Sequence, residues 1–163
     1  MKKAIAISML GLAMCSNQAA AQTDAEQAQI LRDFQASVVE YSQRHRCLDM
    51  SPEVLSAATP APKMFTLPVA MVFRQLIGRA VAAPEGMEAI GGAGMGVVNH
   101  PMVLQPFPGS ELTEFPKVLS DALPAVPAPL EYRLIGQDLV IRDAEADVIV
   151  AVLRNALVTF TTR

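Results

Sequence analysis

The most regular alternation of apolar and polar residues lies near the end of the chain. Tyr132, Leu134, Leu139 and Ile141 recur at period two, with Arg133 and Arg142 between or beside them. That period suits strands with one buried face. Gly136-Gln137-Asp138 interrupts it; glycine tolerates positive φ and aspartate supports turns through its own side chain, so a tight hairpin is predicted. Asp143 to Asp147 forms a second break before Val148-Ile149-Val150-Ala151-Val152-Leu153. The β-branched density of this run favours a strand buried on both faces. A helix starting at Asp143, with Glu145 and Asp147 in its first turn, is the rival, because period alone does not separate short apolar runs. The favoured reading is a three-stranded antiparallel meander over 131–154, which needs a helix on its apolar face to be stable.

Upstream the period becomes helical. Ile30, Phe34, Val38, Tyr41 and His45 fall at steps of three and four, with polar residues over most of the other face. This predicts an amphipathic helix over about 24–47, opened by Thr23-Asp24. Thr66 is a suitable cap for a second helix over 67–82, with Pro68 in the first turn, where a missing N–H costs little. Its polar stripe is only Arg74, Gln75, Gly78 and Arg79. A helix so apolar is either central to the domain or covered by a protein partner or a second copy. Pro52, Pro60 and Pro62 mark 48–63 as a loop. Residues 84–129 read as irregular: they hold eight of the twelve prolines and the run Gly91-Gly92-Ala93-Gly94-Met95-Gly96. Within them Pro116 opens one short helix through Leu123, and Pro124, Pro127 and Pro129 make a stiff lead into the sheet. The predicted class is α+β: two amphipathic helices on a small C-terminal antiparallel meander.

The first residues are expected to leave the fold. Lys2 and Lys3 precede an apolar run from Ala4 to Met14, and Ala19-Ala20-Ala21 supplies small residues for cleavage. This is the grammar of a secretory signal over 1–21, with cleavage near Ala21. Processing before Cys15, as in a lipoprotein, fits less well because Met14 stands where a small residue is wanted. No later apolar run is long enough for a membrane helix. Residues 22–163 then form one domain by length. Loss of Lys2 and Lys3 takes thirteen basic residues to eleven against sixteen acidic, a net charge of −5. An acidic chain lacks the basic footprint of a nucleic-acid binder. Cys47 is the one cysteine of the mature chain, so no internal disulfide is expected.

Leu123-Pro124, Glu131-Tyr132-Arg133, Gly136-Gln137-Asp138-Leu139, Asp143 and Val148 to Leu153 together resemble a hairpin ending found in small exported bacterial proteins. Phe34 to Tyr41, and Phe65-Thr66 with Phe73 to Ile77, look like the two helices of that group, so the resemblance spans most of the mature chain. A similar ending occurs in the periplasmic family that modulates nickel and cobalt efflux; that likeness is C-terminal only and covers about thirty residues. The shared motifs are packing and turn residues, so they imply a fold and an exported setting rather than an activity.

Candidate chemistry is sparse. Met87, Met95, His100 and Met102 lie within one Gly-rich stretch, and thioether and imidazole ligands suit Cu(I). The bland reading is that methionine is simply common here and the loop supplies nothing to orient a ligand. His45-Arg46-Cys47 ends the first helix, where the C-terminal dipole raises rather than lowers a thiol pKa. Gly91 to Gly96 lacks the spacing and the Lys-Ser/Thr of a phosphate loop and reads as linker. Asp138, Asp143, Glu145 and Asp147 cluster at the meander's turns; they suit a hard cation such as Ca²⁺, or serve as turn formers and edge charges. No catalytic grouping and no cofactor motif emerges. The leading expectation is an exported, periplasmic, non-enzymatic interaction or accessory protein. The alternative is a periplasmic metal-binding accessory that uses the Met/His segment 87–102, and an enzyme ranks below both.

Overall fold

The computed structural model describes residues 15–47, 63–83, 86, 88, 90, 100–109 and 114–157, with side chains of the first helix described from Thr23 to Arg44. The signal's apolar run, the loop at 48–62 and the glycine run at 91–96 lie outside the described residues.

Helix α1 spans Cys15–Cys47, α2 Leu67–Ala82 and α3 Lys117–Ala122. Strands β1 (Leu130–Ile135), β2 (Asp138–Asp143) and β3 (Val148–Leu153) form one antiparallel sheet in the order β1-β2-β3. The fold is thus α+β. α1 begins upstream of the predicted start near residue 24, because Ala19 to Gln22 are strong helix formers and continue the same helix. The strand reading of Val148–Leu153 holds against the helical rival, with a turn over 154–157 after it.

The core follows from the two periods. Phe34, Val38 and Tyr41 of α1 and Val69, Ala70, Phe73, Ile77 and Val81 of α2 are buried with Leu130, Tyr132, Leu134, Leu139, Ile141, Ala151 and Leu153 of the sheet. Phe73 meets Phe34 edge-on at 4.8 Å and Phe65 at 5.2 Å, and lies 6.3 Å from Tyr132. Such tilted ring pairs stabilise beyond their buried area. This centrality accounts for most of the apolar character of α2, one of the two explanations its narrow polar stripe allows. Leu67 and Met71, one turn apart, remain 74% and 55% exposed.

The hairpin turns where expected, with Gly136 at φ 58°, a value glycine adopts without steric cost. Between Ile141 and Arg142 the β2–β3 register slips, so that Ile141 faces Ala151 and Arg142 faces Ile149; this bulge places Val150 with the helix-side core. The other face of the sheet is also covered. Ile135, Val140 and Ile149 pack on Phe107, with Val152 at their margin.

Phe107 belongs to a strap inside the stretch predicted to be irregular. Leu104 N–H donates to Ile149 O (2.7 Å), Ile149 N–H to Gln105 O (2.9 Å) and Phe107 N–H to Asp147 O (2.9 Å). Pro106 forms an antiparallel bridge with Val148. The strap therefore pairs the outer edge of β3 at its start, from Asp147 to Ile149. Arg154 anchors its start, donating to Pro101 O and, at 2.7 Å, to Asp138 Oδ2. Arg74 of α2 in turn donates to Arg154 O at 2.9 Å, which ties the helix layer to the sheet's end.

Candidate interaction edge and groove

The start of β3 is strapped, while the outer edge of β1 has no strand partner among the described residues. The phase of its ladder follows from one bond. Ala144 N–H donates to Pro129 O, which makes Leu130↔Asp143 a non-hydrogen-bonded pair, since such a pair is flanked by bonds from the residues on either side. The register then alternates: Glu131↔Arg142, Arg133↔Val140 and Ile135↔Asp138 exchange bonds, while Tyr132↔Ile141 and Leu134↔Leu139 do not. The backbone N–H and C=O of Tyr132 and Leu134 therefore point away from the sheet. Leu130 N–H points the same way but is bonded to Pro127 O at 2.9 Å. Among the described residues no other chain segment pairs with this edge.

Beside the edge lies a half-open groove of about 340 Å³, lined by Phe115, Ser120, Pro124, Ala125, Val126 and the strand itself from Leu130 to Arg133. Its wall is held by contacts from three elements. Pro124 and Pro127 restrict the backbone of the lead, and the expected extended run ends in a turn, where Ala128–Pro129 is cis and Leu130 N–H donates to Pro127 O. Tyr132 Oη donates to Pro124 O at 2.8 Å, and Phe115 stacks on the Tyr132 ring at 5.9 Å. Gln35 of α1 donates to Ala125 O at 2.8 Å. Burial pushes the Tyr132 hydroxyl well above its ordinary pKa, so it stays a neutral donor.

The opposite face of β1 carries charge. Glu131 accepts from Arg133 at 2.7 Å and from Arg142 at 2.7 Å, and Arg142 also reaches Asp147 at 2.6 Å. The Arg142 side chain is 12% exposed, and its guanidinium lies 5.0 Å from the Phe107 ring centroid. Burial raises the Glu131 pKa, but hydrogen bonds from Arg133 and Arg142 outweigh it and hold the carboxyl below its usual range. Burial likewise pulls Arg142 down, and its bonds to Asp147 and Glu131 more than restore it. These contacts link Glu131, Arg133, Arg142 and Asp147 into one ion network.

The residues predicted as metal ligands are not brought together by the described part of the chain. Met87 and Met95 lie outside the described residues; His100 and Met102 are both exposed, Met102 at 57%. Among the described residues no group of three or more His, Cys, Asp or Glu is arranged to hold a metal. The turn carboxylates divide into separate roles. Asp138 accepts from Arg154 and from Asn155 N–H, each at 2.7 Å. Asp143 Oδ1 accepts from Glu145 and Ala146 N–H, each at 3.0 Å, while Oδ2 accepts from Tyr41 Oη at 3.2 Å. Asp147 takes Arg142. Their roles are those of turn formers and ion partners. The side chains of His45 and Cys47 lie outside what is described. No described helix is long and apolar enough to cross a membrane.

Sequence reasoning did not find the β1 edge or its groove. The available signal was the order of the strands together with prolines on one flank only: Pro124, Pro127 and Pro129 lead into β1, and β1 opens a meander, so it must stand at an edge. The domain so defined is an α+β sheet with one strapped edge and one presented edge. No family model, curated protein or solved structure matches the chain.

Proposed function

We propose that this is an exported, non-enzymatic protein of the bacterial periplasm that works by binding another polypeptide along β1. The observation that carries this is the pairing of outward backbone groups at Tyr132 and Leu134 with a preorganised aromatic and proline groove beside them. Addition of an extended segment to such an edge draws affinity from main-chain hydrogen bonds and specificity from adjoining pockets. The positively charged start, apolar run and Ala19-Ala20-Ala21 support export, as does the likeness to small exported proteins. The closed ion networks and the lack of a grouped nucleophile and base among the described residues favour binding over catalysis.

The test is photocrosslinking in the native envelope. A photoreactive residue at Ser120, which is exposed and lines the groove, should give discrete protein adducts. The same residue at Gln43, exposed on α1, should not. Equal labelling from both positions, or none from Ser120, overturns the reading.

A further inference from the structure

Resting on the reading of the β1 edge as a binding surface, we propose that its occupant is a second copy of this chain, joined β1 to β1 about a two-fold axis at Tyr132. Only registers that set outward-pointing residues opposite one another form hydrogen bonds. A two-fold antiparallel pair therefore centres on Tyr132, on Arg133 or on Leu134; centring on Glu131 would oppose two Glu131 side chains and use Leu130, whose N–H is taken by Pro127 O. The charges on the outer face choose among them. Centred on Arg133, the two Arg133 side chains stand directly opposite, and like charges in that position destabilise a ladder. Centred on Leu134, Arg133 meets the apolar Ile135 of the other copy. Centred on Tyr132, Glu131 of each copy meets Arg133 of the other, twice, because the two-fold axis repeats every contact. These are non-hydrogen-bonded pairs of the new ladder, the closely spaced kind in which side chains interact most.

The short sequence Glu131-Tyr132-Arg133 is thus its own complement in this one register. Each Glu131 already holds Arg133 within its own strand and Arg142 beneath, so the second copy extends an existing ion network across the interface. The ladder is short. Pro127 O occupies Leu130 N–H, so each flanking Leu130–Leu134 pair keeps only the bond from Leu134 N–H to Leu130 O. The rest of the contact comes from the two grooves. The axis brings their walls, from Phe115 to Val126 of each copy, to face one another, and each half-open groove is closed by the other. The pairing also satisfies an edge that no described segment covers, as the strap does for the start of β3.

The experiment uses the full mature chain. Sedimentation equilibrium at micromolar concentration should give twice the monomer mass. Amide hydrogen exchange should show Tyr132 N–H protected with a dependence on protein concentration, while the Glu131, Arg133 and Ile135 amides, bonded to β2, are slow at every concentration. Arg133→Glu sets Glu against Glu across the axis and should weaken the dimer at least tenfold and release the Tyr132 amide while the amides bonded to β2 stay slow. Mixing the Arg133→Glu and Glu131→Arg chains should restore a dimer that contains one of each. Where Glu131→Arg does not fold, since it faces Arg142, the exchange pattern of the wild type and of Arg133→Glu decides the matter. A monomer with a fast Tyr132 amide, or a dimer whose Tyr132 exchange is indifferent to Arg133→Glu, overturns the proposal. A monomeric chain that still gives Ser120 adducts with a different protein removes the second copy and leaves β1 as a binding edge. A monomer without adducts removes both.

Discussion

Asp143 gives the sharpest test of how the helices are held to the sheet. It is fully buried at the end of β2, where its Oδ1 closes the β2–β3 turn on two backbone amides and its Oδ2 accepts from Tyr41 of α1. Replacing it with alanine removes the acceptor of three donors. A hydrogen bond to a charged group contributes about 1.5–3 kcal/mol net, and the buried Tyr41 hydroxyl should lose a value in that range. Glu145 is exposed and Ala146 half-buried, so water replaces part of what their amides lose, leaving about 1 kcal/mol each. Asp143→Ala should therefore cost about 3–5 kcal/mol. Asp143→Asn keeps an acceptor for both amides and should cost about 1–2 kcal/mol, as should Tyr41→Phe. Urea unfolding followed by circular dichroism reads these values as midpoint shifts; at a slope of about 2 kcal/mol per M, alanine moves the midpoint by roughly 2 M with the slope unchanged. The double variant Tyr41→Phe/Asp143→Asn should show a coupling of about 1 kcal/mol. Strict additivity of that pair, or an Asp143→Ala midpoint within about 0.2 M of wild type, refutes the view that this carboxylate ties α1 to the turn.

The chain's two tyrosines are both raised in pKa, Tyr41 by burial and then by Asp143, Tyr132 by burial. Above about pH 10 the unfolded chain loses their protons while the folded one keeps them, so stability should fall with rising pH by up to about 1.4 kcal/mol per tyrosine per unit. The Tyr41→Phe/Tyr132→Phe variant should lack this component when denaturant midpoints are compared at pH 8 and above pH 10. Gly86→Ala should destabilise by about 1–3 kcal/mol, because a Cβ at Gly86 would overlap Ala80 O and lie 2.8 Å from Val81 Cα; unchanged thermal unfolding would show that this approach to α2 is not tight. Phe107→Ala should cost about 3 kcal/mol and speed exchange of the Ile149 amide, whereas slow exchange at Ile149 in that variant would mean the strap holds without its anchor. Calorimetric titration with Cu(I) or Ni²⁺ should give the same affinity for the full chain and for His100→Ala, since His100 and Met102 both face outward; tighter wild-type binding would restore 87–102 as a metal site.

Much of the fold was legible because its elements obey one period each. The meander could be placed from Tyr132 to Leu153, since alternation, Gly136 and the β-branched run agree. The second helix matches its predicted span, 67–82. The strap was not legible. Leu104 to Phe107 has no strand period, includes Pro106 and adopts φ 67° at Leu104; it exists because β3 needs an edge partner and the second sheet face needs Phe107. Neither need is visible until the sheet is built. The ion network is similar. Glu131, Arg133, Arg142 and Asp147 look like ordinary exposed charges in the sequence, and only the register sets Glu131 opposite Arg142.

The candidate site was hidden for the opposite reason. Sequence reading looks for groups that react or ligate, and so the residues it named were Met87, Met95, His100 and Met102, as an alternative to an interaction role. The surface at β1 is made of main-chain groups, whose direction depends on ladder phase rather than on residue type. In the proposed dimer its specificity would be written in side chains. Glu131-Tyr132-Arg133 reads as strand patterning within one chain, and it is the proposed pairing that would make it a recognition sequence, since Tyr132 presents its backbone outward. Edge charges usually serve to keep strands apart. Here the register that sets Arg133 against Arg133 is discouraged and the one that sets Glu131 against Arg133 is favoured, so the same two residues can block random edge pairing and admit one partner geometry. A charge pattern that both repels and selects is how specificity between similar edges is obtained, and it is the physical reason to seek this protein's role in what it pairs with.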